Sequence, residues 1–113
     1  MSAPDRTRLA RASYEAYQSG DRQALEDLIA DDFAFWSPQD DGIDRATYFE
    51  RCWPANETLE EFEFKRIHRL GEEEVVVTYE AKRTDGSRFR NTEVLTFGGD
   101  QLTLVEVYFG WNL

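Results

Sequence analysis

The sequence predicts an α+β domain, and three observations predict it. Apolar residues recur at helical spacing in the N-terminal half, and they alternate between turn residues in the C-terminal half. A length of 113 residues fits one domain spanning 1–113. Hydrophobic residues at 41% and aromatics at 14% supply a core despite 32% charged residues, a balance that disordered chains lack.

The first helix is expected over Asp5 to Ser19, with Leu9, Ala12, Ser13, Ala16 and Tyr17 as its inner face. Gly20 ends it, because glycine takes the left-handed cap without steric cost. Asp21 caps a second helix through Leu25, Leu28 and Ile29. A short strand, Phe33 to Trp36, stops at Pro38, and Gln39-Asp40-Asp41-Gly42 reads as a solvated loop. Asp44 caps a third helix carrying Ala46, Tyr48, Phe49 and Cys52; it ends before Trp53-Pro54, since proline disfavours helix in its predecessor. Four strands follow, roughly Leu59–Leu70, Glu74–Arg83, Arg88–Phe97 and Leu102–Trp111, joined by glycine turns into an antiparallel meander.

A register follows if the two later turns are three-residue loops. Glu93 then lies across from Val77 and Val105, and one face carries Val75, Val77, Tyr79, Ala81, Phe89, Asn91, Glu93, Leu95, Phe97, Val105, Val107, Phe109 and Trp111. Only Asn91 and Glu93 interrupt it, and a buried carboxylate needs a partner or a shifted pKa. A two-residue first turn, Gly71-Glu72, adds Phe62, Phe64, Arg66 and His68 to the same face. Arg66 then comes within reach of Glu93, either as a structural ion pair or as part of an acid–base set.

The charge bounds the partners. With 13 Lys+Arg against 23 Asp+Glu the formal charge is -10, which opposes nucleic acid and anionic membranes. No apolar run approaches the ~20 residues of a membrane span, and the N-terminus lacks a secretory signal's apolar stretch. Cys52 and His68 are the sole residues of their types, so no disulfide, no metal and no cofactor are expected, and a reducing cytoplasm is the natural setting. Cys52 reads as a small buried hydrophobe.

Gly20-Asp21-Arg22 followed by Leu28-Ile29-Ala30-Asp31-Asp32-Phe33, the run Asp85 to Glu93, and Val105 to Trp111 together resemble the SnoaL-like branch of the nuclear transport factor 2-like superfamily. The resemblance covers about Arg8 to Trp111. It implies a cone-shaped fold, three helices on a curved antiparallel sheet around a ligand pocket, in a superfamily that hosts cyclases, isomerases, dehydratases and binding modules. Ketosteroid isomerases of this fold use an aspartate before a proline, a helix-one tyrosine and an acid on the penultimate strand. Here Ser37 precedes Pro38, Ser13 falls where the tyrosine would be, and only Glu93 falls near the acid position. The expected pocket therefore holds a small hydrophobic molecule, with Glu93 and Asn91 as catalytic candidates. Tyr17, Trp36, Trp53, Arg66, His68, Tyr79, Phe109 and Trp111 are the expected lining, and the alternative is a non-catalytic binding or dimerisation module. The reverse face, with Val76, Thr78, Thr92, Val94, Thr96, Leu104 and Tyr108 among Glu80, Arg90 and Glu106, is expected to join a homodimer, Arg90 of one subunit meeting Glu80 or Glu106 of the other.

Overall fold

A computed structural model describes residues 5–113. Helix α1 (Arg6–Ser19) begins where the Asp5 carboxylate accepts from the backbone N–H groups of Thr7 and Arg8, and it ends at Gly20 in the left-handed conformation. Asp21 caps α2 (Arg22–Leu28), and Asp44 caps α3 (Arg45–Arg51). A 3-10 turn, Trp53–Thr58, follows α3, its proline set in the first turn where no N–H is needed.

The six strands are β1 (Ile29–Ser37), β2 (Asp40–Asp44), β3 (Leu59–Leu70), β4 (Glu74–Arg83), β5 (Arg88–Gly98) and β6 (Gln101–Asn112). They form one sheet in the order β2-β1-β6-β5-β4-β3, with β1 parallel to β6 and every other neighbouring pair antiparallel. The segment expected as a solvated loop after Pro38 is therefore a strand: Ile43 pairs with Phe35 and Asp40 with Ser37.

The apolar face of the sheet meets the helices. Val75, Val77, Leu95 and Phe97 are fully buried against Ala10, Ala16, Leu25, Ile29, Phe33 and Phe49. Three of the bulges in β3–β6 change which residues the expected register turns inward or pairs. Opposite β5, one at Thr103 places Val107 rather than Val105 across from Glu93, a two-residue offset that keeps the same face inward. The first hairpin turns through Gly71, Glu72 and Glu73, and an extra residue at Lys65 breaks the alternation of β3. Phe62, Phe64 and Ile67 consequently face the core, while Arg66 pairs with Thr78 and His68 with Val76 on the reverse side. The third, at Gly110, pairs Phe109 with Asn91 but Trp111 with Arg90.

On the reverse face the Thr78 and Thr92 hydroxyls lie 2.8 Å apart, and Arg90 bridges Glu80 of its own chain at 2.7 Å. The intersubunit partner expected for Arg90 is thus already met within the chain. Among the described residues no helix is long and apolar enough to cross a membrane.

Candidate functional site

A cavity of about 330 Å³ lies between the helices and the inner face of the sheet. Its floor is apolar, with Leu25, Ile29, Phe33, Leu95 and Leu102. One wall is aromatic. Tyr14 of α1 stacks on Phe62 at 5.6 Å and meets Phe64 edge-on at 5.7 Å, Phe62 stacks on Tyr79 at 4.7 Å, and Tyr79 meets Phe89 at 6.2 Å. Alternation on β3, β4 and β5 turns these rings to one side, and α1 closes over them.

Glu93 projects from the middle of β5 into this wall. The Tyr14 hydroxyl donates to its Oε1 at 2.8 Å, and the Tyr79 hydroxyl donates to its Oε2 at 2.7 Å. Removal from water favours the neutral carboxyl and raises the Glu93 pKa, while the two tyrosine hydrogen bonds pull the other way. Burial, followed by the charge of Glu93, holds the Tyr14 and Tyr79 hydroxyls well above the ordinary tyrosine range. Both phenols therefore remain donors at neutral pH.

Asn91 sits two residues nearer the open end. Its Oδ1 accepts from the Gly110 backbone N–H at 3.1 Å, which turns its amide nitrogen toward the Tyr79 hydroxyl at 3.4 Å. Gly110 permits this approach, since a Cβ there would lie 1.9 Å from the Arg90 carbonyl oxygen. One hydrogen-bonded chain thus runs from the β6 backbone through Asn91 and Tyr79 to Glu93 and Tyr14. Such chains hold each member in a fixed orientation.

The mouth is polar. Asp40 turns its carboxylate to the pocket wall, where Ser37 Oγ donates to it at 2.9 Å and Arg51 lies at 3.2 Å; its side chain is only 11% exposed. Cys52 lines the cavity nearby, and burial with the adjacent Asp40 charge pushes its thiol up to about 11, which keeps it from acting as a thiolate nucleophile. Tyr17 donates to the Cys52 carbonyl at 2.8 Å, tying α1 to the end of α3.

The structure brings Tyr17, Tyr79, Asn91, Glu93 and Phe109 of the expected set to the cavity and leaves five others away from it. Arg66 and His68 are exposed on the reverse face because of the β3 bulge, so no ion pair forms between Arg66 and Glu93. Trp111 turns outward at the Gly110 bulge and lies against Arg90 at 5.4 Å, 60% exposed. Trp36 packs over Gly42, whose added Cβ would fall 2.6 Å from the indole, and it borders a shallower surface depression instead. Trp53 stands behind Tyr17 at 5.6 Å and packs on Phe49 without reaching the cavity wall. Tyr14 lies outside the expected set, and Asp40, expected in a solvated loop, lines the cavity. Tyr14 belongs to the helical row Ala10, Ser13, Tyr14, Tyr17, which shares its period with the row through Ala12 and so does not single it out. Among the described residues no group of three or more metal-ligating side chains is present.

The SnoaL-like domain model matches residues 10–105, and the chain belongs to the SnoaL-like family. Solved structures agree in fold. A protein from Kribbella flavida superposes with a TM-score of 0.80 at 17% identity, covering 90% of this chain and 84% of that one. A candidate polyketide cyclase from Xanthomonas campestris gives 0.74 at 21% identity, covering 92% and 89%. A computationally designed 17-OHP binder gives 0.72 at 15% identity, covering 90% of each. No functionally curated protein matches the sequence.

Proposed function

We propose that the chain binds a small, largely apolar molecule in this cavity and that Glu93 exchanges a proton with it. The observation that carries the reading is the Glu93 carboxyl, set in an aromatic wall with each oxygen held by a tyrosine hydroxyl. Apolar surroundings with a few convergent polar groups are the usual make-up of small-molecule pockets. A raised carboxyl pKa moves Glu93 toward the range in which a general acid or base works near neutral pH. A ligand carbonyl takes the hydrogen bond of one tyrosine, and the carboxyl oxygen so released exchanges a proton with the neighbouring ligand atom. Asp40 is not given this role, because the Arg51 guanidinium neutralises its charge, whereas both partners of Glu93 are neutral hydroxyls.

A thermal-shift screen of small ring ketones and phenols, followed by turnover assays on those that bind, tests the reading. Glu93→Gln should keep binding within a few-fold and lose about 10²–10⁴ in turnover. A second reading, a binding module without chemistry, is favoured by the tyrosine already on each Glu93 oxygen. It predicts no turnover in wild type or variant with equal affinity for both. We further propose a homodimer joined through the reverse face of the sheet, in a reducing cytoplasm that keeps Cys52 a thiol.

A further inference from the structure

Two cations reach the pocket wall, and they differ. Arg51 is neutralised by Asp40 at 3.2 Å. Arg83, at the end of β4, has no carboxylate within ion-pair distance among the described residues. Asp85, two residues on, feels the Arg83 charge from beyond ion-pair distance and accepts from the Ser87 backbone N–H at 2.9 Å. The Arg83 guanidinium lies 4.6 Å over the Phe89 ring, and its Nη1 donates to Thr58 Oγ1 at 3.2 Å. Those contacts hold the group at the rim. One of its five N–H donors is used there, which leaves four for a ligand.

Phe89, Asn91 and Glu93 share one face of β5, and all three line the cavity. Phe89 and Glu93 are four residues apart, about 13 Å along a strand. A polar group therefore stands at each end of an aromatic wall, a cation at the rim and an acid inside, with the Asn91 amide between them.

We propose that the pocket takes an amphipathic organic anion, its acidic group on Arg83 and its flat apolar body running along Phe89, Phe62 and Tyr79 toward Glu93. This rests on the reading of the cavity as a small-molecule site and names the class of molecule. A planar guanidinium fork suits carboxylate, sulfonate or phosphate oxygens, which it binds through two parallel hydrogen bonds. The spacing sets the body at about two or three fused rings in length, since the ligand bridges most of the ~13 Å between the two ends. The net charge of -10 does not forbid an anion, because at physiological salt surface charges beyond about 8 Å are largely screened.

Fluorescence titration with 8-anilinonaphthalene-1-sulfonate and its uncharged counterpart N-phenyl-1-naphthylamine tests the proposal. Wild type should bind the sulfonate at least tenfold more tightly than the neutral probe. Arg83→Gln should erase that preference with a far smaller effect on the neutral probe, and Arg83→Lys, a point charge without the fork, should retain part of it, which separates charge from folding. Equal affinities in wild type, or equal losses of both probes in Arg83→Gln and Arg83→Lys, would overturn the anion assignment. In the first of those cases the neutral probe still binds and the cavity remains a ligand site. Failure of both probes to bind wild type would overturn the small-molecule reading along with it.

Discussion

At the scale of single residues, the burial of Glu93 links stability to pH. Its carboxyl lies where water is displaced by Tyr14, Tyr79 and their neighbours, so the folded protein holds that proton to a higher pH than an unfolded chain does. Between the ordinary value of 4.5 and the raised folded value, the folded state binds more protons than the unfolded state. Stability contributed by this group is therefore full below that window and falls as pH rises through it. Urea denaturation at stepped pH should show wild type losing stability relative to Glu93→Gln as pH climbs above 4.5. Parallel curves for the two proteins would count against a desolvated carboxyl. Asn91 and Glu93 could be picked out in the sequence because they alone interrupt an apolar row. Tyr14 could not be singled out so readily, since an inner face drawn through Ala12 and Tyr17 fits the same helical period. Only its partner, 79 positions away, distinguishes it.

At the scale of elements, strand irregularities decide which side chains enter the cavity. Strict alternation on β3 would carry Arg66 and His68 inward, but the bulge at Lys65 turns them out and Ile67 in. The interval Phe62, Phe64, Ile67 records that break, because apolar residues at steps of two and then three do not fit an uninterrupted strand. On β6 the record is Gly110, a glycine inside a strand. Its bulge lets the backbone hold Asn91 and sends Trp111 to the reverse face. Gly110→Ala forces a Cβ against the Arg90 carbonyl, and overcrowding of this kind costs about 1–3 kcal/mol. Thermal melting should show that loss, and amide shifts should change at Asn91; a melt equal to wild type would contradict the tight approach. Helix starts were legible throughout, since Asp5, Asp21 and Asp44 announce their caps locally. Strand β2 was not, as its residues Asp40 to Asp44 carry no alternating apolar signal and pair only because β1 lies alongside.

At the scale of the whole molecule, three helices on a curled sheet leave one face of β3–β6 uncovered. We propose that the uncovered side, with Thr92, Val94 and Thr96 beside the Glu80–Arg90 pair, packs against its own copy. Sedimentation equilibrium at micromolar concentration should give about twice the chain mass of 13.2 kDa, and a single species at that chain mass would refute the dimer. The cavity on the opposite side does not depend on that outcome, because every group of the hydrogen-bonded core around Glu93 comes from one chain. The direct test of that core is the titration of the Glu93 carboxyl itself. With ¹³C-labelled glutamate and the resonance assigned through Glu93→Gln, its midpoint should lie above 4.5 in wild type. It should rise further in Tyr14→Phe, which removes one of the two hydrogen bonds that favour the charged form. A wild-type midpoint at or below 4.5 would contradict the account of Glu93 as the proton-exchanging group of an apolar pocket.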